Sequence, residues 1–331
     1  MLRVCIFGGG AIGGHIAAHL ARAGLCEVSV VARGQVLDAI RSRGLRVETP
    51  EADFTVPVRA TDDPSELGEQ DYVFLTLKAH QVDAALDRIK PLIGPHTVVL
   101  PPTTGIPYYF FHGADGAFRD RRLPRLDPGG RQWSAIPPAQ VLGCVYWIGA
   151  HSIEPGVVAQ DGPKAGVPIG ELDGSRSARA EKLAELLSAS GIASRLNDDI
   201  RAAIWVKFVN SLCWNPIAVL TLATLGQMDR AGDVVPIVER MMEEADLVAS
   251  TLGLRIPQAP GKRIAMTLSA ANHKMSMLQD LEQGRPLELG ALEESIKAMS
   301  ELAGVETPTL DQVLALAKLR AQAMSSTSAH A

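Results

Sequence analysis

Six residues near the N-terminus constrain this chain more than any others. Gly8-Gly9-Gly10-Ala11-Ile12-Gly13 comes directly after the β-prone run Val4–Phe7 and opens an apolar-periodic segment, Ile12–Ala23. The spacing is G-x-G-x-x-G in the strand–turn–helix setting where that pattern has a mechanism. The first glycine permits a tight turn, the second lets backbone approach a pyrophosphate, and the third lets helix and strand pack closely. The helix N-terminus adds N–H donors and the positive end of a dipole. A glycine-rich turn with no ligand would use the same letters, so the reading depends on the rest of the chain.

Beyond the first helix the chain alternates. Glu27–Val31 reads as a strand, Val36–Arg43 as a helix, Tyr72–Leu77 as a strand, Val82–Ile89 as a helix and Thr97–Leu100 as a strand. Strands and helices in this order imply parallel βαβ units. The expected fold class is α/β: a Rossmann-like, doubly wound parallel sheet followed by an all-α C-terminal domain. Gly113–Pro138, rich in Gly, Pro and Arg, reads as a long loop or flap. Val141–Trp147, Gly156–Ala159 and Val167–Glu171 read as further strands, and Ser177–Ser190 as a helix stopped by Gly191. Beyond Asn197 only helical periodicity remains, near Ile200–Trp214, Val234–Leu252, Arg263–Glu282, Leu289–Ala303 and Leu310–Met324. The expected domains are therefore 1–197, α/β, and 198–331, all-helical. Residues 325–331 read as a frayed tail.

Composition narrows the class. The 331 residues exceed one ordinary domain, and 47% apolar with 21% charged residues excludes a disordered or collagen-like chain. The net charge of −5, with no long run of one sign, argues against a nucleic-acid partner. Cys5, Cys26, Cys144 and Cys213 form no C-x-x-C pair, which argues against a zinc knuckle or disulfide framework and for a reducing compartment. No signal-peptide core and no uncharged apolar run of ~20 residues is evident, so a cytoplasmic location with no membrane partner is expected. His15 and His19 have the i,i+4 spacing of metal ligands, but their helix must pack on the sheet and no metal is expected.

Arg33 addresses the nucleotide. NAD sites place Asp or Glu at the end of the second strand, ~20 residues after the glycines, to bind the ribose 2′-hydroxyl. Here the sequence is Val30-Val31-Ala32-Arg33, with no carboxylate. Arginine matches a 2′-phosphate bidentately, so NADPH is expected over NADH; an ordinary solvated arginine is the competing reading.

Three stretches carry polar residues where burial is expected. Lys78 and Gln81 lie just past a strand, where doubly wound sheets bind ligands. Pro101-Pro102-Thr103-Thr104-Gly105-Ile106-Pro107 also lies just past a strand. Lys207, Ser211 and Asn215 recur at i+4 and form one polar stripe on an otherwise apolar helix. Lys207 therefore either faces a ligand or carboxylate, or snorkels to water. Glu288 opens a helix, where a dipole contact is one reading and a place beside Lys207 the other.

These residues together resemble the ketopantoate reductase (2-dehydropantoate 2-reductase) family over nearly the whole chain. The resemblance rests on Gly8–Gly13, Arg33, the Leu-Lys-Ala-x-Gln stretch around Lys78, Trp205-x-Lys207, Asn215-Pro216, Ser276-Met277-Leu278-Gln279-Asp280 and Gly284-Arg285-Pro286-x-Glu288. It implies NADPH-dependent reduction of the 2-oxo group of ketopantoate to pantoate, on the route to pantothenate and coenzyme A. It implies that Lys207 is the general acid, that Asn215 and Ser276 contact substrate, that Glu288 meets the cofactor ribose and the active-site lysine, and that Lys78 lies near the cofactor. It implies too that the domain over 1–197 binds NADP and that the helical one over 198–331 carries the substrate contacts and any homodimer surface.

Two positions depart from the family pattern. Thr104 stands where the family carries an Asn that touches substrate and nicotinamide. Ser211 stands four residues after the lysine where another Asn is usual, with Asn210 one residue earlier; Ser211 or Asn210 takes that substrate contact. Two other readings stand beside the first: a reductase of the same superfamily acting on a different 2-oxo or β-hydroxy acid, and a non-catalytic NADPH-sensing protein.

Overall fold

The computed structural model describes residues 1–102 and 104–328. Thr103, in the loop quoted above, lies outside them. Two compact units form: Met1–Thr103, Pro107–Arg122 and Asp127–Arg201 in the first; Thr104–Ile106, Leu123–Leu126 and Ala202–Ala331 in the second. The break falls between Arg201 and Ala202, a few residues later than the change of pattern at Asn197, because Ile200 and Arg201, the first two residues of the next helix, belong to the first unit. Ile200, for example, fills the space that a side chain on Gly143 would need.

The first unit contains β1 (Arg3–Phe7), α1 (Ala11–Ala23), β2 (Glu27–Val31), α2 (Gly34–Arg43), β3 (Leu45–Glu48), β4 (Asp53–Val56), β5 (Arg59–Thr61), β6 (Tyr72–Leu75), α3 (Ala79–Ile89), β7 (Val98–Leu100), α4 (Arg131–Ala135), β8 (Gly143–Cys144), β9 (Trp147–Glu154), β10 (Val157–Gly166), β11 (Ile169–Gly170) and α5 (Ala178–Ala189). Five parallel strands form the main sheet in the order β5-β2-β1-β6-β7. This is the expected doubly wound arrangement. Val4, Ile6, Phe74 and Leu100 are fully buried, as strands covered on both faces require.

A second, mixed sheet runs β4-β3-β10-β9. Sequence pattern places no strand between Arg43 and Tyr72, yet β3, β4 and β5 all lie there. They are only three or four residues long, and β3 pairs with β10 more than a hundred residues away, so local periodicity carries little of their signal. Tyr108, Tyr109, Phe110 and Phe111 are all buried in the segment after β7, and the Tyr108 hydroxyl donates to the Ile136 carbonyl. The expected flap is thus turn-rich but anchored, with the short α4 inside it.

The second unit is helical: α6 (Ile200–Thr221), α7 (Leu225–Ala231), α8 (Val234–Thr251), α9 (Pro260–Leu268), α10 (Ser276–Glu282), α11 (Leu289–Ala303) and α12 (Pro308–Ser328). Four details differ from the sequence-based expectation. α6 continues through Pro216, because Ile217, Ala218 and Val219 are buried and their packing outweighs the hydrogen bond that proline cannot make. The segment expected as one helix over Arg263–Glu282 is two, α9 and α10. α7, which was not expected, starts at a T-x-x-Q box in which Thr224 N–H donates to Gln227 Oε1 at 2.8 Å. Residues 325–331, expected as a tail, continue α12 as far as Ser328, and the last three lie outside the described residues.

α1 also carries a buried titratable pair. His15 and His19 stack with ring centroids 4.4 Å apart; His15 Nε2 lies 2.8 Å from Gln160 Oε1, and His19 Nδ1 lies 3.2 Å from the Ser190 carbonyl. Burial, reinforced by the neighbouring His19, lowers the His15 pKa to about 4. The unfolded chain therefore binds a proton near pH 6.5 that the fold refuses until about 4. Stability contributed by neutral His15 is full above pH 6.5 and falls as pH drops toward 4, by on the order of 3 kcal/mol at most. Thermal melts are expected to show Tm falling through this window, and His15→Gln is expected to flatten the dependence.

Candidate active site

The glycine loop is built by exclusion. Gly8 has φ +123°, and a Cβ there would lie 2.9 Å from Thr76 Oγ1. A Cβ on Gly13 would lie 1.9 Å from the Gly8 carbonyl oxygen and 2.4 Å from Thr76 Oγ1. Gly9 is crowded by Val36 and Ala32. Gly10 differs: a Cβ there meets nothing within 4 Å. Gly10 is also the N-cap of α1 and supplies no side-chain acceptor to the first N–H groups of the helix, at Ala11, Ile12 and Gly13. An open approach to uncapped helix donors fits the pyrophosphate of a pyridine dinucleotide.

Register brings further residues to the same end of the sheet. Phe7 pairs with Val31 and with Leu75, so β1, β2 and β6 end together. Gly8 N–H donates to the Val31 carbonyl at 3.0 Å, and Thr76 Oγ1 donates to the Gly8 carbonyl at 2.8 Å. Thr76 holds the turn, a role that sequence pattern alone does not assign to it. Arg33, two residues past β2, is exposed at the N-cap of α2, and its guanidinium makes no hydrogen bond or ion pair among the described residues. Lys78, partly buried, caps α3 after β6. Gln81 works locally, since its Oε1 accepts the Lys78 N–H at 3.1 Å and closes the first turn of α3.

The second unit holds the other candidates. Lys207, Asn210, Ser211 and Asn215 all lie on α6, which is helical throughout, so no bulge realigns Asn210 with the position of Ser211. Lys207 is partly buried, and burial lowers its ammonium to about 8. Ser211 stands one turn on, about 6 Å along the axis, with no hydrogen bond from its hydroxyl among the described residues. Asn210 is turned to α9, where its side-chain amide meets Thr267 Oγ1 at 2.8 Å.

Asn215 is 1% exposed and spends its amide on the protein. Its Nδ2 donates to the Ser211 carbonyl at 3.1 Å, and its Oδ1 accepts Met277 N–H at 3.0 Å and Ser276 Oγ at 3.4 Å. The N-cap of α10 is Met275, which has no acceptor, so Asn215 caps that helix from α6. In doing so it presents Ser276, which is exposed. Asp280, also on α10, accepts from Arg285 Nε at 2.8 Å and fixes the turn that leads to Glu288.

Thr104 and Glu288, 184 residues apart, meet: Thr104 Oγ1 donates to Glu288 Oε2 at 3.4 Å. Glu288 is the N-cap of α11, but its carboxylate makes no cap hydrogen bond there and reaches Thr104 instead. The structure thus joins Asn215 with Ser276, and Thr104 with Glu288. Sequence reasoning missed Ser295, which binds the backbone just after Thr104, and Thr267, which bonds Asn210; a buried serine or a half-buried threonine on an amphipathic helix gives no pattern to find it by.

The sequence profile of "Ketopantoate reductase PanE/ApbA" matches residues 4–174, and that of its C-terminal region matches 199–321. A 2-dehydropantoate 2-reductase of Mesorhizobium japonicum is 42% identical over 317 residues, 96% of this chain and 97% of that one. Among solved structures, a protein of Ralstonia solanacearum MolK2 with a provisional ketopantoate reductase name superposes with a TM-score of 0.90 at 36% identity, covering 98% of this chain and 99% of that one. D-mandelate dehydrogenase with NADH and anilino(oxo)acetate superposes at 0.83 with 22% identity, covering 98% and 99%, which is a likeness of fold.

The glycine geometry separates two substitutions. Gly10→Ala is expected to leave Tm unchanged and to weaken nucleotide binding about tenfold or more, because its methyl enters only the open approach. Gly13→Ala is expected to lower Tm by several degrees, since overpacking there costs at least about 1–3 kcal/mol. Melting curves and nucleotide titration of both variants check this.

Proposed function

The chain belongs to the ketopantoate reductase family, and from that premise we propose that it reduces ketopantoate to pantoate with NADPH. Its family is one of pyridine-nucleotide oxidoreductases acting on CH–OH groups. The observation that carries the proposal is Lys207, a partly buried ammonium lowered to about 8 on a helix whose next turns carry Ser211 and Asn215.

In this proposal a nucleotide, when bound, would supply the hydride that the 2-oxo carbon needs. Lys207 stabilises the charge that develops on the carbonyl oxygen and donates the proton that completes the hydroxyl. Ser211 and Ser276 contact the substrate, with Asn215 holding Ser276 in place. Gly8–Gly13 would cradle the pyrophosphate, Arg33 would pair with the 2′-phosphate, and Lys78 would lie beside the nucleotide. Thr104 and Glu288 act as a pair at the cofactor ribose. The family's Asn would bring two amide donors where Thr104 brings one hydroxyl, and that proton is engaged by Glu288. This favours keeping a second reading, the same chemistry on another 2-oxo acid.

Lys207→Ala is expected to lose about 10²–10⁴-fold in kcat while still binding NADPH. Because the donor works only when protonated, the wild-type reductive rate is expected to hold below pH about 8 and to fall tenfold per unit above it; a rate rising through that pH would contradict the assignment. Arg33→Ala is expected to raise KM for NADPH about tenfold or more and KM for NADH far less. Equal losses for both nucleotides would remove the 2′-phosphate role.

A further inference from the structure

We propose that Ser295 is a positioning residue for the Thr104–Glu288 pair; the proposal rests on the assignment of that pair to nucleotide and substrate chemistry. Ser295 sits at the middle of α11, 2% exposed. Its Oγ accepts the Ile106 N–H at 2.9 Å and donates to the Ala291 carbonyl at 2.7 Å. One hydroxyl therefore locks the backbone just after Thr104 onto the helix that Glu288 opens.

The fit leaves little freedom. Gly105 has φ +84°, where a side chain is strained, and a Cβ on it would lie 2.6 Å from Ser295 Oγ and 3.2 Å from the Ala291 carbonyl. The segment can approach α11 only because residue 105 lacks a side chain and residue 295 is small. A neighbouring stretch is pinned to the same helix: Arg125 donates to Glu294 at 2.9 Å and to Glu301 at 2.6 Å. α11 is thus the rail on which two short segments are registered, and Ser295 is its contact with the one that carries Thr104. The hydrogen bond between Thr104 and Glu288 is long, at 3.4 Å. Such a bond does not hold a loop by itself, so the register has to come from elsewhere, and the Ser295 hydroxyl supplies it.

A double-mutant cycle tests this, with Ser295→Ala, Thr104→Ala and the double variant compared for kcat, KM and kcat/KM with ketopantoate, Kd for NADPH, and Tm. If Ser295 acts through Thr104, Ser295→Ala loses about fivefold or more in kcat/KM and the double variant is no worse than the poorer single one. Ser295→Thr, which keeps the hydroxyl, is expected to recover more activity than Ser295→Ala at equal or lower Tm. The proposal is overturned if the losses multiply in the double variant, or if Ser295→Ala leaves both kcat/KM and Kd unchanged. If the wild-type protein binds NADPH but turns over no 2-oxo acid, it is the functional reading that fails, and the same cycle is then scored on Kd.

Discussion

A Cβ on Gly13 would come within 1.9 Å of the Gly8 carbonyl oxygen, and this exclusion sets where α1 lies against the sheet. With hydrogen at that position, the helix starts close to the end of β1 and its first N–H groups face an uncapped opening at Gly10. The Thr76 hydroxyl, fastened to the Gly8 carbonyl, ties the turn to β6, and the Val31 carbonyl ties it to β2. Three strand ends are thereby gathered around one uncapped helix terminus. Arg33 and Lys78, the first residues beyond two of those strands with cationic side chains, come along by register alone.

The second unit arranges its polar groups by a different means. It buries apolar helices, Trp205, Phe208 and Trp214 of α6 among them, and uses a few hydrogen bonds from side chain to backbone to fix what the packing leaves open. Asn215 caps α10 from another helix and so sets the direction of Ser276. Ser295 fastens Ile106 and so sets the place of Thr104. In each case a buried polar side chain holds the segment on which a less buried one stands. Burial then gives Lys207 a proton that it can release near neutral pH, which an ammonium in water does not do readily.

Four of the five strands of the main sheet, β1, β2, β6 and β7, are legible in sequence because they are apolar and alternate with helices, and Glu27–Val31 can be read to the residue; the three-residue edge strand β5 is not. The boundary of α11 is equally plain, with Gly304 in the left-handed conformation at its end. In the mixed sheet the start of β10 is legible, within Gly156–Ala159, but β3 and β4 are not, because β3 pairs with β10 and no neighbour in sequence reports that pairing. Local pattern ends α6 before Pro216, since propensity speaks against proline and only tertiary packing overrides it. In the site, spacing alone locates the glycine loop, Arg33 and the lysine of α6. The contact between Thr104 and Glu288, and the turning of Asn210 toward Thr267, depend on how distant segments dock, which no spacing records. Gln81 and Asn215 stand out in sequence as unusual polar residues, and the structure gives their side-chain carbonyl oxygens local work in capping α3 and α10.

One assay bears most directly on the central claim: the loss of NADPH absorbance when the purified protein meets ketopantoate and a panel of other 2-oxo acids, repeated with NADH. Turnover of ketopantoate is expected in preference to the rest of the panel, and with NADPH in preference to NADH. Turnover confined to other members would keep the chemistry and change the substrate. Tight NADPH binding with no turnover of any member would contradict the claim and leave a nucleotide sensor in its place.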